Sequence, residues 1–304
     1  MAAEGRTRRD ARRQRRRTRR TAALLVLALA AVGVWLYPGQ PQSAETLQVA
    51  ATEPAVDPSV DAAARLRAQL DAGLADALRG TTGHLSVAVL DTATGATAGY
   101  GTDTFVTASI VKVDILAALL RQSDGMLTAA QRTAAALMIE NSDNDAATEL
   151  FEAVGGADGL DEANAAFGLT ATTAGTDGYW GLTATTAADQ LRLLQVVFGT
   201  DDTLGAASRS YLQGLMGRIA VDQDWGVSAA DDGGDPRLKN GWLPRTESGA
   251  WVINSIGRVV HDGRQVLVAV LSDGSATEQD GIDLVESAAS AAVDSLTTAT
   301  STQR

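Results

Sequence analysis

The chain of 304 residues contains no cysteine and only two lysines. Without cysteine there can be no disulfide, no thiolate nucleophile, no Cys-ligated metal and no lipid-anchored cysteine. The compartment stays open, since exported proteins need not carry disulfides. Histidine is also scarce. His84 and His261 are too few for most His-rich metal sites, and each stands beside an expected strand, which suits a structural or surface role. The shortage of lysine is more informative. Of 25 Lys plus Arg, only Lys112 and Lys239 are lysines. Arginine cannot lose its proton in a protein and lysine can, so these are two positions where arginine would not do.

The composition, 45% hydrophobic and 20% charged, is that of a folded protein able to bury one large core or two modest ones. The formal charge of -12 hides an asymmetry. Residues 1–20 hold ten Arg against Glu4 and Asp10, for +8, which leaves -20 on the remainder. Nucleic acid is thereby excluded as a partner of the main body.

Arginine dominates residues 6–20, and Thr21 to Tyr37 is an uncharged run rich in Ala, Leu and Val that ends at Pro38. This reads as a basic cytoplasmic tail (1–20) followed by a single-pass signal-anchor (21–37). The run is slightly short of the ~20 residues that span a hydrocarbon core, so cleavage and secretion are the alternative. No clear small-x-small cleavage site follows within Pro38 to Gln42, which favours the anchor. Positive charge stays inside, placing the body outside the cytoplasmic membrane. Residues 38–59, rich in Pro, Gln, Ala, Thr and Ser, form a flexible stalk. The folded domain is expected over 60–298.

Within it, Leu66, Leu70, Leu74 and Leu78 recur every four residues before Gly80, the pattern of an amphipathic helix with a glycine stop. His84 to Leu90 and Ala96 to Tyr100 read as a hairpin across Asp91 to Gly95. Helical periodicity then runs through Val113 to Leu120, Leu127 to Met138, Ala146 to Phe151, Leu160 to Phe167 and Ala187 to Phe198. The final third changes to strands at Arg237 to Leu243, Ala250 to Val260 and Gln265 to Ser272. The last two are joined by Asp262-Gly263, a tight-turn signal, and a helix from Asp280 to Leu296 closes the domain. The fold class is α+β: an antiparallel sheet flanked by N- and C-terminal helices, with an all-helical lobe inserted.

Ser109 and Lys112 are three apart at the head of an apolar helix and therefore share a face. Burial can strip the amine of its proton, after which it can activate the hydroxyl as a nucleophile. With 17 serines and two lysines, such a pair arises by chance in about one chain of this kind in nine. Two further motifs follow in order: Ser142-Asp143-Asn144 after a helix, and Lys239-Asn240-Gly241 on a strand. Together the three resemble the Ser-x-x-Lys, Ser-Asp-Asn and Lys-Thr-Gly elements of the class A β-lactamases and penicillin-binding proteins. The resemblance covers about Val60 to Leu296.

It implies that Ser109 is the acyl-forming nucleophile, that Lys112 takes its proton, and that Ser142 relays a proton to the leaving nitrogen. Asn144, Lys239, Asn240, Gly241 and Trp242 would bind substrate, with Lys239 offering charge to a carboxylate at the cleft mouth. The amides of Ser109 and Trp242 would form the oxyanion hole, and Asp143 would orient its loop. No metal or organic cofactor is implied.

The chain departs from the family pattern twice. Asn240 replaces a hydroxyl residue, and the loop Ala171 to Leu182 lacks the Glu-x-x-Leu-Asn motif that supplies the deacylation base. Its only carboxylate is Asp177, the candidate substitute, in a Thr-Asp-Gly turn context. The expected function is a membrane-anchored serine hydrolase that cleaves β-lactams, with slow deacylation as one outcome. The alternatives are a D-alanyl-D-alanine peptidase or penicillin-binding protein acting on peptidoglycan stem peptides, and a non-enzymatic penicillin-binding or cell-envelope interaction module.

Overall fold

Strand β1 (His84–Asp91) is buried from Leu85 onward because it is paired on both sides. In the computed structural model, which describes residues 67–301 apart from 70, 77, 80–82, 201 and 247, its neighbours are β2 (Thr97–Tyr100) and β7 (Arg264–Ser275), both antiparallel. With β5 (Arg237–Pro244) and β6 (Trp251–His261) the five-stranded sheet runs β2-β1-β7-β6-β5, antiparallel throughout. Asp262 and Gly263 both take positive φ, 49° and 71°, the twist that lets a two-residue turn join β6 to β7.

Both faces of the sheet are covered, so its central strand is a continuous apolar run instead of an alternating one. Along β7, Val266, Val268 and Val270 face a core that also holds Leu74, Leu78 and the buried side of α7 (Glu278–Ser301), including Val285, Ala289 and Val293. Leu267, Ala269 and Leu271 face the opposite core, shared with the helical lobe. That lobe comprises α1 (Val111–Gln122), α2 (Ala129–Glu140), α3 (Asn144–Ala153), α4 (Gly156–Phe167), α5 (Ala187–Phe198) and α6 (Ala206–Met216). A short ribbon of β3 (Phe105–Val106) and β4 (Ala184–Thr185) completes the regular structure considered below.

Helix α1 is buried on every side from Val111 to Leu120, as expected only of a helix at the centre of a lobe. Two charged residues, Lys112 and Asp114, nevertheless lie within it and are buried. Helix α2 starts at a reciprocal capping box, in which Gln131 N donates to Thr128 Oγ1 and Thr128 N to Gln131 Oε1. Helix α6 is absent from the sequence expectations. Its buried residues are Ser208, Leu212, Leu215 and Met216, so the apolar stripe occupies only its second half.

The tail, signal-anchor and stalk expected over 1–59 lie outside the described residues, as do Leu66, Leu70 and Gly80. Residues 67–69 and 71–76 are helical. Among the described residues no helix is long and apolar enough to cross a membrane.

Candidate active site

Ser109 does not begin α1 itself. It lies in the preceding 3-10 turn, Ala108–Ile110, entered through Ala108 at φ 47°, a left-handed conformation that a non-glycine residue holds only when its surroundings enforce it. Asn254 of β6 donates through Nδ2 to the carbonyls of Val106 (2.9 Å) and Thr107 (3.0 Å), and its Oδ1 accepts from Ser272 N at 3.1 Å. Thr107 N donates to Thr183 O at 2.8 Å. From the far side β5 closes in. A Cβ on Gly241 would meet Ser109 N and Thr107 O at 2.7 Å and Ile110 N at 2.8 Å, so only glycine allows this approach.

One turn along, Lys112 is 0% exposed. Its Nζ lies 3.0 Å from Ser109 Oγ, 2.6 Å from Ser142 O, 3.1 Å from Ser142 Oγ and 2.8 Å from Asn144 Oδ1. Four oxygens exceed the three protons of an ammonium. In the neutral amine one of the three protons gives way to a lone pair, which can accept the Ser109 hydroxyl proton while the other two positions serve the remaining oxygens. Burial pushes the Lys112 pKa down to about 7, against the opposing pull of the Asp143 carboxylate.

Ser142 reaches Lys112 with both its oxygens from a left-handed backbone, φ 57°. Asp143 caps α3, accepting from Ala146 N at 2.8 Å, and so orients the loop as expected.

Strand alternation divides the third motif between two faces. Gly241 faces the Ser109 turn. Lys239 is also 0% exposed, so it is a buried group and not one at a cleft mouth. Burial first, and the charge of Lys112 second, drive its pKa well below the usual lysine range.

Asn240 points the other way. Its Nδ2 donates to Gln223 O (2.8 Å) and Trp225 O (2.9 Å), so that amide nitrogen is committed to the 3-10 segment beside β5 and not offered to a substrate carboxylate. The Trp242 side chain packs edge-on against Trp225, ring centroids 6.0 Å apart, which leaves only its backbone amide for the expected role.

Asp177 is exposed in the turn that Tyr179 N closes on Thr176 O at 2.9 Å. Asp177 and Gly178 both have positive φ, 53° and 80°, as Thr-Asp-Gly leads one to expect. The Asp177 carboxylate accepts from the Thr176 hydroxyl at 3.4 Å and does not join the hydrogen bonds around Lys112.

Two residues not singled out in the sequence help build the site. Trp180 sets its ring 4.9 Å from Lys112 Nζ, covering the amine from water, and donates from Nε1 to Thr148 Oγ1 at 3.1 Å. Its loop is held at the base by carboxylates: Asp189 accepts from Ala171 N (2.8 Å) and Thr172 Oγ1 (2.7 Å), and Asp161 from Ala174 N (2.7 Å). Nearby, burial raises Asp114 well above the carboxylate range, aided by Asp161 and Asp189. The second missed residue is Asn254. A lone amide in the apolar run of β6 was its available signal.

The histidines stand apart from this constellation. His84 lies between Asp273 (2.6 Å) and Asp103 (3.3 Å), with Asp273 first among the causes that raise its pKa. Near the β6–β7 turn, Asp232, His261 and Asp262 bring single ligand atoms within 4.8 Å of one another, a cluster separate from Ser109.

The model of the Beta-lactamase enzyme family matches residues 127–296. Among curated proteins no sequence matches the chain. Solved structures do resemble it. A representative of class A β-lactamase from Bacteroides cellulosilyticus is 20% identical, covering 76% of this chain and 98% of its own, with a TM-score of 0.65. A β-lactamase from Burkholderia vietnamiensis is 23% identical over 74% and 95%, TM-score 0.62. A variant of the last common ancestor of Gram-negative class A β-lactamases is 25% identical over 75% and 98%, TM-score 0.61. The family match spans more than half of the sequence, and the fold agrees with it: the chain belongs to the β-lactamase enzyme family of serine hydrolases.

Proposed function

We propose that this protein opens the amide bond of β-lactams by forming an acyl-enzyme on Ser109. The observation that carries this reading is Lys112: a buried amine, its pKa pushed down to about 7 by that burial, in contact with Ser109 Oγ, Ser142 Oγ and Asn144 Oδ1. Lys112 takes the Ser109 proton as Oγ attacks the lactam carbonyl carbon. The oxygen that gains charge is met by the amides of Ser109 and Trp242, the latter on the strand that Gly241 presses against the turn. As the C–N bond breaks, Ser142 passes a proton to the nitrogen and recovers one from Lys112. Asn144 holds Lys112 through Oδ1 and has its Nδ2 left for the substrate. Lys239 contributes positive charge when a bound carboxylate draws a proton onto it.

Release of the acyl group is the slow half. The loop Ala171 to Leu182 contains no glutamate, and its only carboxylate, Asp177, is exposed at a turn tip. The same feature favours a second reading, a peptidase or transpeptidase acting on peptidoglycan stem peptides, because an acyl-enzyme protected from water survives long enough to meet another acceptor. In either case residues 21–37 anchor the chain in the cytoplasmic membrane, with the catalytic domain outside.

A labelled penicillin tests these readings. One covalent label on Ser109 is expected. No label on the wild type, or undiminished labelling of Ser109→Ala, overturns the acyl-enzyme and leaves a non-enzymatic module. Label lost within minutes marks an efficient β-lactamase, and label held for hours marks slow turnover. Fractionation of cells producing the whole chain tests the anchor: a soluble product beginning near residue 38 refutes it.

A further inference from the structure

Two cavities beyond the Ser109 turn share one residue, Arg245. The smaller, of about 220 Å³, lies between Leu182 and the end of β5, where Leu243, Pro244, Arg245 and Thr246 line it. The larger, of about 390 Å³, is lined by the β3–β4 ribbon, by Asp273 of β7 and again by Arg245. Both walls of the smaller cavity lead back to the nucleophile. Leu182 ends the 3-10 turn Trp180–Leu182, whose indole covers Lys112 and whose Gly181 O accepts from Thr107 Oγ1 at 3.5 Å. Strand β5 meets the same Ser109 turn through Gly241. A substrate acylating Ser109 therefore has this gap as the continuation of its cleft.

Strand alternation puts Lys239, Gly241 and Leu243 on one face of β5. Arg245 continues that face, because its N–H donates to Ala250 O at 2.8 Å and prolongs the pairing with β6 past Pro244. It stands about 13 Å along the strand from Gly241, so a group that meets it must project well beyond the reacting carbonyl. Arg245 is half-buried, and its guanidinium has no hydrogen bond or ion pair among the described residues. The arginines within the sheet strands are engaged otherwise: Arg237 and Arg258 share Asp235, and Arg264 holds Asp91. Residues 21–304 carry a net charge of -20, so carboxylate partners are not scarce. An arginine without one, on the wall of the cleft, keeps its planar fork of donors for a ligand.

We propose, on the basis of the acyl-enzyme reading above, that Arg245 is a specificity-determining residue. The cleft prefers acyl donors whose side chain runs between Leu182 and Leu243 and ends in a carboxylate held by Arg245. Past Arg245 the larger cavity ends at Asp273, which with Asp103 flanks His84. Two carboxylates around one imidazole leave that end negative, so the anion stops at Arg245.

The test compares acylation of the full-length chain by two cephalosporins that differ only at the end of the 7-acyl side chain, one glutaryl and one glutaramyl. The ring carboxylate is common to both and cancels. The glutaryl compound should acylate at least tenfold faster, the worth of one hydrogen bond to a charged group. Arg245→Gln should slow that compound until the two rates agree within about twofold, and Arg245→Lys, which keeps the charge but not the fork, should retain part of the preference. Equal rates on the wild type, a preference that survives Arg245→Gln, or equal slowing of both compounds overturns the proposal. Calorimetric binding to Ser109→Ala separates this failure from that of the reading beneath it. If the wild type forms no acyl-enzyme while Ser109→Ala binds the glutaryl compound tenfold more tightly, and adding Arg245→Gln abolishes the difference, the chemistry at Ser109 is refuted and the role of Arg245 stands. If Ser109→Ala binds both compounds equally, the role of Arg245 is refuted whatever the chemistry.

Discussion

If Lys112 is the base, the rate of acylation must follow the fraction of Lys112 that is neutral. Its pKa falls from an ordinary 10.5 to about 7, so half of the amine is neutral at pH 7 where only about one molecule in 3,000 would otherwise be. Burial thus multiplies the competent population by roughly 1,600, equivalent to ~4 kcal/mol. A single-turnover stopped-flow measurement with a chromogenic cephalosporin between pH 5 and 9 should give a rate at pH 5 of about one fiftieth of that at pH 7, rising about twofold from pH 7 to a plateau that is nearly reached by pH 8.

The direction can be checked independently. Asp143 opposes the fall in pKa, so Asp143→Asn should move the acid limb to lower pH. Asparagine caps helices as well as aspartate does, so the start of α3 is retained. Rates still climbing tenfold per unit at pH 9, a flat profile, or a limb that Asp143→Asn moves upward would refute the role of Lys112.

Gly241→Ala should reduce acylation at least a hundredfold with little loss of secondary structure by circular dichroism, because the added methyl meets only backbone atoms of the Ser109 turn. Asn254→Ala removes the side-chain partner of the Val106 carbonyl and the Ser272 amide and leaves the Thr107 carbonyl only the long bond from Ile110 N (3.4 Å), a loss of roughly 2–4 kcal/mol, which thermal denaturation should record as a fall of about 4–16 °C; no fall would mean that the turn is held elsewhere. Asp177→Asn should leave the release rate of a penicillin label unchanged, and a tenfold slowing would restore Asp177 as the water-activating base. For the depressed Lys112 the unfolded chain holds the proton between about pH 7 and 10.5 and the folded one does not, so stability should rise with pH across that window. In urea titrations Lys112→Met should rise less steeply than the wild type.

Much of this molecule was legible because its elements announce themselves. The bounds of α5 coincide with the expected Ala187 to Phe198, since threonine caps its start and an apolar stripe runs its length. The lysines were legible for a chemical reason, being the only two in a chain that otherwise uses arginine. What the sequence withheld depends on direction and distance. Residue order alone could not say that Asn240 turns its amide toward Gln223 and Trp225, or that Lys239 is wholly buried, because strand alternation assigns faces only once a neighbouring strand and helix are known. Trp180 lies 68 positions from Lys112, and only the ribbon of β3 and β4 that closes its loop against the Ser109 turn brings the two together. Helix α6 was missed because a half-length apolar stripe does not stand out from a loop rich in small residues.

The two lysines also decide how the folded domain meets reagents. Acylating dyes and cross-linkers that seek amines ordinarily modify the many lysines of a protein surface, yet here both side chains are 0% exposed. Every accessible cationic side chain of the folded domain apart from histidine is a guanidinium, to which such reagents are inert. An amine-reactive probe small enough to enter the Ser109 cleft would therefore find one amine that is both nucleophilic near neutrality and in its path, and the extent of its reaction would report, without any substrate, how often that cleft opens.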